Sequence, residues 1–323
     1  VLAPEDVDDQ HWFMPHDGEI QTRIFRREFL CLWTIAVAIT ALSIMLTSLP
    51  PAGLARQLFI PIHTDSTPII FIALIVQKSI QLGIFVGVGL TVARKIGLGA
   101  PLLEAWFRHE PIRPLLRSAV LPIALTIAVL VAASALARAS LFRPKRTQDS
   151  AAASEFANSQ TGATAFEELQ KLGLVSSKPI TKFSLEVLNL AGAIGGELEG
   201  RLFEVSVIIL LLIQILGSRK TIADRPIVWI AVLMVAVFRT MENELIVRQN
   251  TILVLNIFRD FGLPRELPSI WSGSAQTGLR VIPSAVALGL LYTYCGIEAS
   301  IAASFCASVI FPLFTGFWLT HFT

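Results

Sequence analysis

Long apolar stretches separated by shorter polar ones dominate the hydropathy pattern of this chain. The apolar runs lie near 29–49, 68–92, 118–142, 183–216, 226–243, 279–294 and 297–319. Helices of this length cross, or nearly cross, the hydrocarbon core of a bilayer, about 30 Å thick. The pattern predicts an all-α fold, a polytopic transmembrane helical bundle of about seven spans. The fourth run is long enough to tilt or project beyond the membrane.

The polar segments divide the chain. Residues 1–27 read as an acidic surface segment with Asp6, Asp8, Asp9, Asp17 and Glu19, ahead of a transmembrane domain over 28–323. That domain is interrupted at about 143–181 by a polar insertion rich in Ser, Ala, Thr and Gln, in which Thr164 to Leu172 fits one short helix. A second polar connection, 244–278, carries Pro264, Pro268 and Trp271 and is expected to pack over the membrane surface. Between the second and third runs, Leu102, Leu103, Trp106 and Phe107 mix with Arg108, Arg113 and Arg117 in the pattern of an interfacial segment.

Composition agrees with a membrane solvent. The chain is 54% hydrophobic and 15% charged with a mean hydropathy of +0.66, too apolar for a soluble protein of this size. Net charge is +2, and the basic residues sit at helix ends rather than in one stripe, which argues against a nucleic-acid partner. Lipids and other integral membrane subunits are the expected partners. Arg23, Arg26 and Arg27 precede the first run, five basic residues from Arg94 to Arg117 follow the second, and Arg219, Lys220 and Arg225 follow the fourth, against Arg56 alone between the first two. By the positive-inside rule the N-terminus is cytoplasmic, as in a bacterial-type inner membrane, although Arg143, Lys145 and Arg146 argue the other way. The first run exceeds a signal-peptide core and meets Pro50-Pro51 rather than a cleavage-like site, so it reads as a retained helix. Cys31, Cys295 and Cys306 have no CxxC spacing and read as packing residues. No cofactor or metal is expected from these residue types.

One apolar run is heavily charged. Glu186, Glu197, Glu199, Arg201 and Glu204 lie in the fourth, where an ionised side chain costs at least about 2.5 kcal/mol unless it meets protein, water or an opposite charge. At about 100° per residue Glu186, Glu197, Arg201 and Glu204 share one face, and Glu199 falls on the other side. Glu197 and Arg201, four apart, can pair. With Glu242 on the next helix they are expected to form an internal polar cluster in which Arg201 is the cation.

The stretch Ala191-Gly-Ala-Ile-Gly-Gly-Glu-Leu-Glu-Gly-Arg-Leu202, an earlier Val92-Ala-Arg-Lys-Ile-Gly-Leu-Gly-Ala-Pro-Leu-Leu103 and a late Gly289 to Ser304 together resemble the CPBP family of intramembrane proteases, the CAAX-protease and bacteriocin-processing type. The resemblance runs from about residue 70 to the last apolar run and rests on order and spacing more than on identity. It implies a Glu-Glu-x-x-x-Arg motif on Gly196, Glu197 and Arg201, a Phe-x-x-x-His motif on Phe238 and Glu242, and a His-x-x-x-Asn/Asp motif on Ser304 and Ser308. The water-activating glutamate is therefore Gly196, and both histidine positions and the Asn/Asp position are changed. Glycine offers no base, and a glutamate in place of a histidine puts an anion where a donor to the oxyanion is wanted. His11, His16, His63, His109 and His321 lie in termini, connections or at the last helix end, where none replaces the missing imidazoles.

The replacements suggest packing. Gly192, Gly196 and Gly200 are spaced by four, as are Ser300, Ser304 and Ser308, and small residues at this spacing allow close helix approach in membranes. The two ladders are expected to meet and narrow the cavity, so that a glutamate at 196 would clash. The resulting expectation is a catalytically inactive, CPBP-like pseudoprotease serving as a structural or regulatory subunit of a membrane complex. The alternative is an active, divergent CAAX-type endopeptidase using Glu197 and Glu242 as a carboxylate pair. A transporter, with Gln77, Lys78 and Gln81 supplying polar groups, lacks the inverted repeat or interrupted helix pair that would favour it.

Overall fold

The computed structural model describes residues 18–47, 67–138, 182–215, 225–260 and 270–321, all but a few turn residues helical. The helices are α1 (Gly18–Thr47), α2 (Thr67–Lys95), α3 (Pro101–Phe107), α4 (Arg113–Arg138), α5 (Lys182–Glu197), α6 (Ser206–Ile215), α7 (Arg225–Asp260), α8 (Ile270–Cys295) and α9 (Ile297–His321). Between α5 and α6 the chain stays helical over Leu198–Val205 but widens into π-type turns. Residues 1–17 of the acidic segment, the insertion at 143–181 and the short helix expected at Thr164–Leu172 lie outside the described residues.

Among the described residues three helical stretches are long and apolar enough to cross a membrane: Thr22–Leu46, Ile72–Lys95 and Arg113–Leu136. Their outward faces carry Ile35, Met45, Ile72, Ile80, Leu121 and Leu125, all exposed, as lipid-facing residues must be in a bilayer. The expectation of an all-α membrane protein holds at this level.

Residues 18–27, the end of the expected surface segment, form the first turns of α1, with Arg23, Arg26 and Arg27 exposed. The connection expected over 244–278 is largely helix, since α7 runs on to Asp260 and α8 starts at Ile270. Ile246, Val247, Ile252, Leu253, Val254 and Ile257 continue the apolar spacing of α7 through its charged residues, and the two prolines fall at 264 and 268, between the helices.

The main core is built where α2 and the π-type segment approach closely. Leu82, Val86 and Leu90 of α2 pack on Leu198, Leu202 and Val205, with Val232, Val235 and Tyr292 closing the cluster. Gly89 permits this contact: a Cβ there would lie 2.9 Å from the Leu202 carbonyl oxygen. Deep in the same core, the Tyr292 and Ser206 hydroxyls are 2.7 Å apart and satisfy each other. A smaller core joins Leu130 of α4 to Leu288, Leu291, Ala299, Ala303 and Ala307.

One end of the bundle is tied by polar contacts. Glu28, 1% exposed, takes a 2.8 Å bond from Arg94, joining the start of α1 to the end of α2. The expected interfacial segment is the short helix α3 followed by a turn in which His109 adopts φ 58°. It is anchored inward, where the Leu103 N–H donates to Glu298 of α9 at 3.0 Å. Gly296, at φ 89°, is the single residue between α8 and α9. The helices fold back there, bringing the Ser300 hydroxyl to 3.4 Å from the Leu288 carbonyl.

Candidate functional site

The π-type segment decides which charges meet. Residues five apart stand on one face when hydrogen bonding runs i→i+5, whereas in an α-helix they are about 140° apart. Glu199 and Glu204 therefore both reach Arg239 of α7, at 3.6 and 2.9 Å from its Nη2. Arg239 also donates through Nη1 to Glu242 at 2.9 Å. This corrects the expectation from α-helical phase that Glu199 and Glu204 stand on different sides: both meet at Arg239.

Glu197 and Arg201 remain together on the inner face, 4% and 6% exposed, with Arg201 Nε 3.7 Å from the carboxylate. That separation is an ion pair without a hydrogen bond. The Glu197 carboxylate instead accepts from the buried Ser300 hydroxyl, and the Ser304 hydroxyl lies beside it. Ser300 is thus a polar partner as well as a packing residue. The expected cluster of Glu197, Arg201 and Glu242 divides into two: Glu197 with Arg201 and Ser300, and Arg239 with Glu199, Glu204 and Glu242.

Glu242 stands outside the inner group. Its side chain is half exposed, and Phe238 is 59% exposed on the same outer side of α7. A helix presents residues four apart on one face, so once Phe238 points outward Glu242 follows, and Arg239 is the residue of α7 that turns inward. Arg239 went unnoticed in the sequence, although a cation three residues before a glutamate inside an apolar run was a signal for it.

The glycine ladder does not close the cavity. A Cβ added at Gly192 or Gly196 would meet nothing within 4 Å, and at Gly200 the nearest atom is the Arg239 Nε at 3.4 Å. Gly192 and Gly196 instead line a cavity of about 390 Å³ with Glu197, Arg201, Ser304 and Ser308. Leu130 and Ser134 of α4, Arg239 of α7, and Arg280, Ser284 and Leu288 of α8 complete much of its wall. The expected closure of glycine on serine is overturned because α4 packs against α8 and α9 and leaves a chamber facing α5. The expected clash of a glutamate at 196 falls with it.

Gly192→Ala and Gly196→Ala are accordingly expected to leave the unfolding temperature in detergent unchanged or slightly raised, since alanine in a helix interior gains roughly 0.5–1 kcal/mol over glycine. Gly289→Ala should lower it, because a Cβ there comes within 2.8 Å of Val232. Thermal unfolding of the three variants side by side checks the contrast.

Chemically the chamber holds a carboxylate already bound by a hydroxyl, a buried guanidinium and several serines. Among the described residues no group of three His, Cys, Asp or Glu side chains is arranged to hold a metal ion. Comparison of the chain with protein families, with curated proteins and with solved structures finds no match.

Proposed function

We propose that this chain is a seven-span integral membrane protein built like the CPBP intramembrane proteases, which has lost hydrolysis and serves as a structural or regulatory subunit of a membrane complex. The observation that carries the reading is at the chamber wall. Where the family's water-activating glutamate would project there is Gly196, with open space at its Cβ, and the neighbouring Glu197 is occupied by Ser300 and paired with Arg201. A carboxylate whose oxygen already accepts from a hydroxyl and which faces a guanidinium has less lone-pair capacity left to take a proton from water. The second carboxylate of a hydrolytic pair is missing too, since Glu242 is bonded to Arg239 outside the inner group.

Orientation follows in the same proposal: the N-terminus faces the cytoplasm of a bacterial-type inner membrane, supported by the basic residues near the start of α1, the end of α2 and the start of α4. The subunit role is tested by purifying the full chain from its native membrane in a mild detergent. A membrane protein co-purifying at fixed stoichiometry through two orthogonal separations is expected. A chain that always migrates alone contradicts the subunit role.

A further inference from the structure

Arg201 is more than nine-tenths buried, lines the chamber, and makes no hydrogen bond to any described residue; its Nε is buried without an acceptor. A guanidinium carries five N–H donors in a planar fork and stays charged in proteins. Burying such a group unsatisfied is costly, and the nearest carboxylate, Glu197, stands at 3.7 Å with its own bond directed to Ser300. Among the described residues the Arg201 Nε has no acceptor, and the chamber lies beside it.

The rest of the wall describes what would supply that acceptor. Arg239 and Arg280 add positive charge to the lining, the first already answered by Glu199, Glu204 and Glu242 and the second exposed on α8. Among the described lining residues Glu197 is the one carboxylate. Leu130, Val281, Ala285, Leu288 and Ala307 form an apolar stretch of the same cavity. Its volume of about 390 Å³ is within the usual range for a small-molecule site. Leu130, buried in the smaller core, belongs to a helix long and apolar enough to cross a membrane, which suits this part of the wall to an aliphatic chain.

We propose that this chamber binds the acid head of an amphiphile, a carboxylate or phosphate on an aliphatic chain, with Arg201 as its principal contact and the Leu130–Leu288 wall against the chain. The planar fork suits the two oxygens of either head group. The inference rests on the non-hydrolytic reading in one respect: the acid is held and not turned over.

The test uses the full chain in a neutral maltoside detergent with probes that contain no bond a protease cleaves: myristate, dodecyl phosphate, dodecanol, acetate and inorganic phosphate. Binding is measured by equilibrium dialysis with hydrogen exchange read over residues 192–204 and 300–308. Saturable binding of myristate or dodecyl phosphate at one per chain, with slowed exchange in both segments and dodecanol at least tenfold weaker, is expected. Arg201→Gln should weaken the acid amphiphile at least tenfold. Gly196→Leu, whose Cβ stands in open space at the chamber wall, puts a branched side chain into the chamber and should do the same even if Arg201→Gln fails to fold. Equal affinity for dodecanol, tighter binding of acetate or inorganic phosphate than of the amphiphiles, or indifference to Gly196→Leu would overturn the proposal. Because none of the probes can be hydrolysed as a peptide, failure to bind leaves the non-hydrolytic reading standing, and peptide cleavage would sink that reading while the binding of the acid amphiphile is still decided by these probes.

Discussion

Replacing Arg239 with alanine is expected to cost the protein about 3 kcal/mol, the lower end of what breaking a buried ion pair costs, because the site is partly open to solvent. The size follows from what is left behind. Arg239 answers Glu199, Glu204 and Glu242 at 3.6, 2.9 and 2.9 Å, and its own side chain is only 19% exposed. Without it three carboxylates share a small volume, two of them in the π-type segment that forms the heart of the core. Arg239→Lys should recover little, since an ammonium cannot reach three carboxylates with a planar fork. By contrast Arg113→Ala, on an exposed position at the start of α4, is expected to change stability by less than about 0.5 kcal/mol. Thermal and denaturant unfolding of the purified variants in one detergent would separate these cases.

The second large effect is expected at Gly296. Its φ of 89° is strained for any L side chain, and an added Cβ would stand 2.2 Å from Pro101 Cδ and 2.6 Å from its Cγ. The left-handed conformation costs roughly 1–2 kcal/mol and the overlap about 1–3 more. Gly296→Ala should therefore destabilise by about 3 kcal/mol and loosen the docking of α3, where Leu103 bonds to Glu298. Proteolytic nicking between α3 and α4 that rises together with the loss of stability would identify that route. Unchanged unfolding would show that α8 and α9 join in some other way.

What was legible in the sequence, and what was not, has a physical pattern. Apolar runs located the helices, because membrane-length hydrophobicity is a composition signal that tolerates error in phase. Side-chain neighbours depend on phase, and there a constant 100° per residue misled. The Leu198–Val205 segment shifts the register, so Glu204, expected on the face of Arg201, joins Glu199 at Arg239. Glu197 and Arg201 were placed correctly because their four-residue spacing begins just ahead of that segment and keeps them in contact.

The glycine and serine ladders failed for a different reason. Spacing by four says that small residues share a face, not that another helix is there to meet them. Here α4 stands back from α5, and Gly192 and Gly196 look into the chamber. Long-range polar ties were hidden for want of any local pattern: Glu28 with Arg94 and Ser300 with Glu197 are 66 and 103 residues apart.

The proposed reading is that the chamber carries out no hydrolysis, and one measurement bears on it most directly. The full chain, reconstituted in liposomes, is incubated with prenylated peptides and with a set of membrane-embedded peptides, and products are read by mass spectrometry. No product above the protein-free background is predicted for the unaltered chain. None is predicted for Gly196→Glu either, which has room to fold but finds Ser304 and the outward Glu242 where imidazoles would be required. Cleavage by the unaltered chain that disappears in Glu197→Gln would contradict the account.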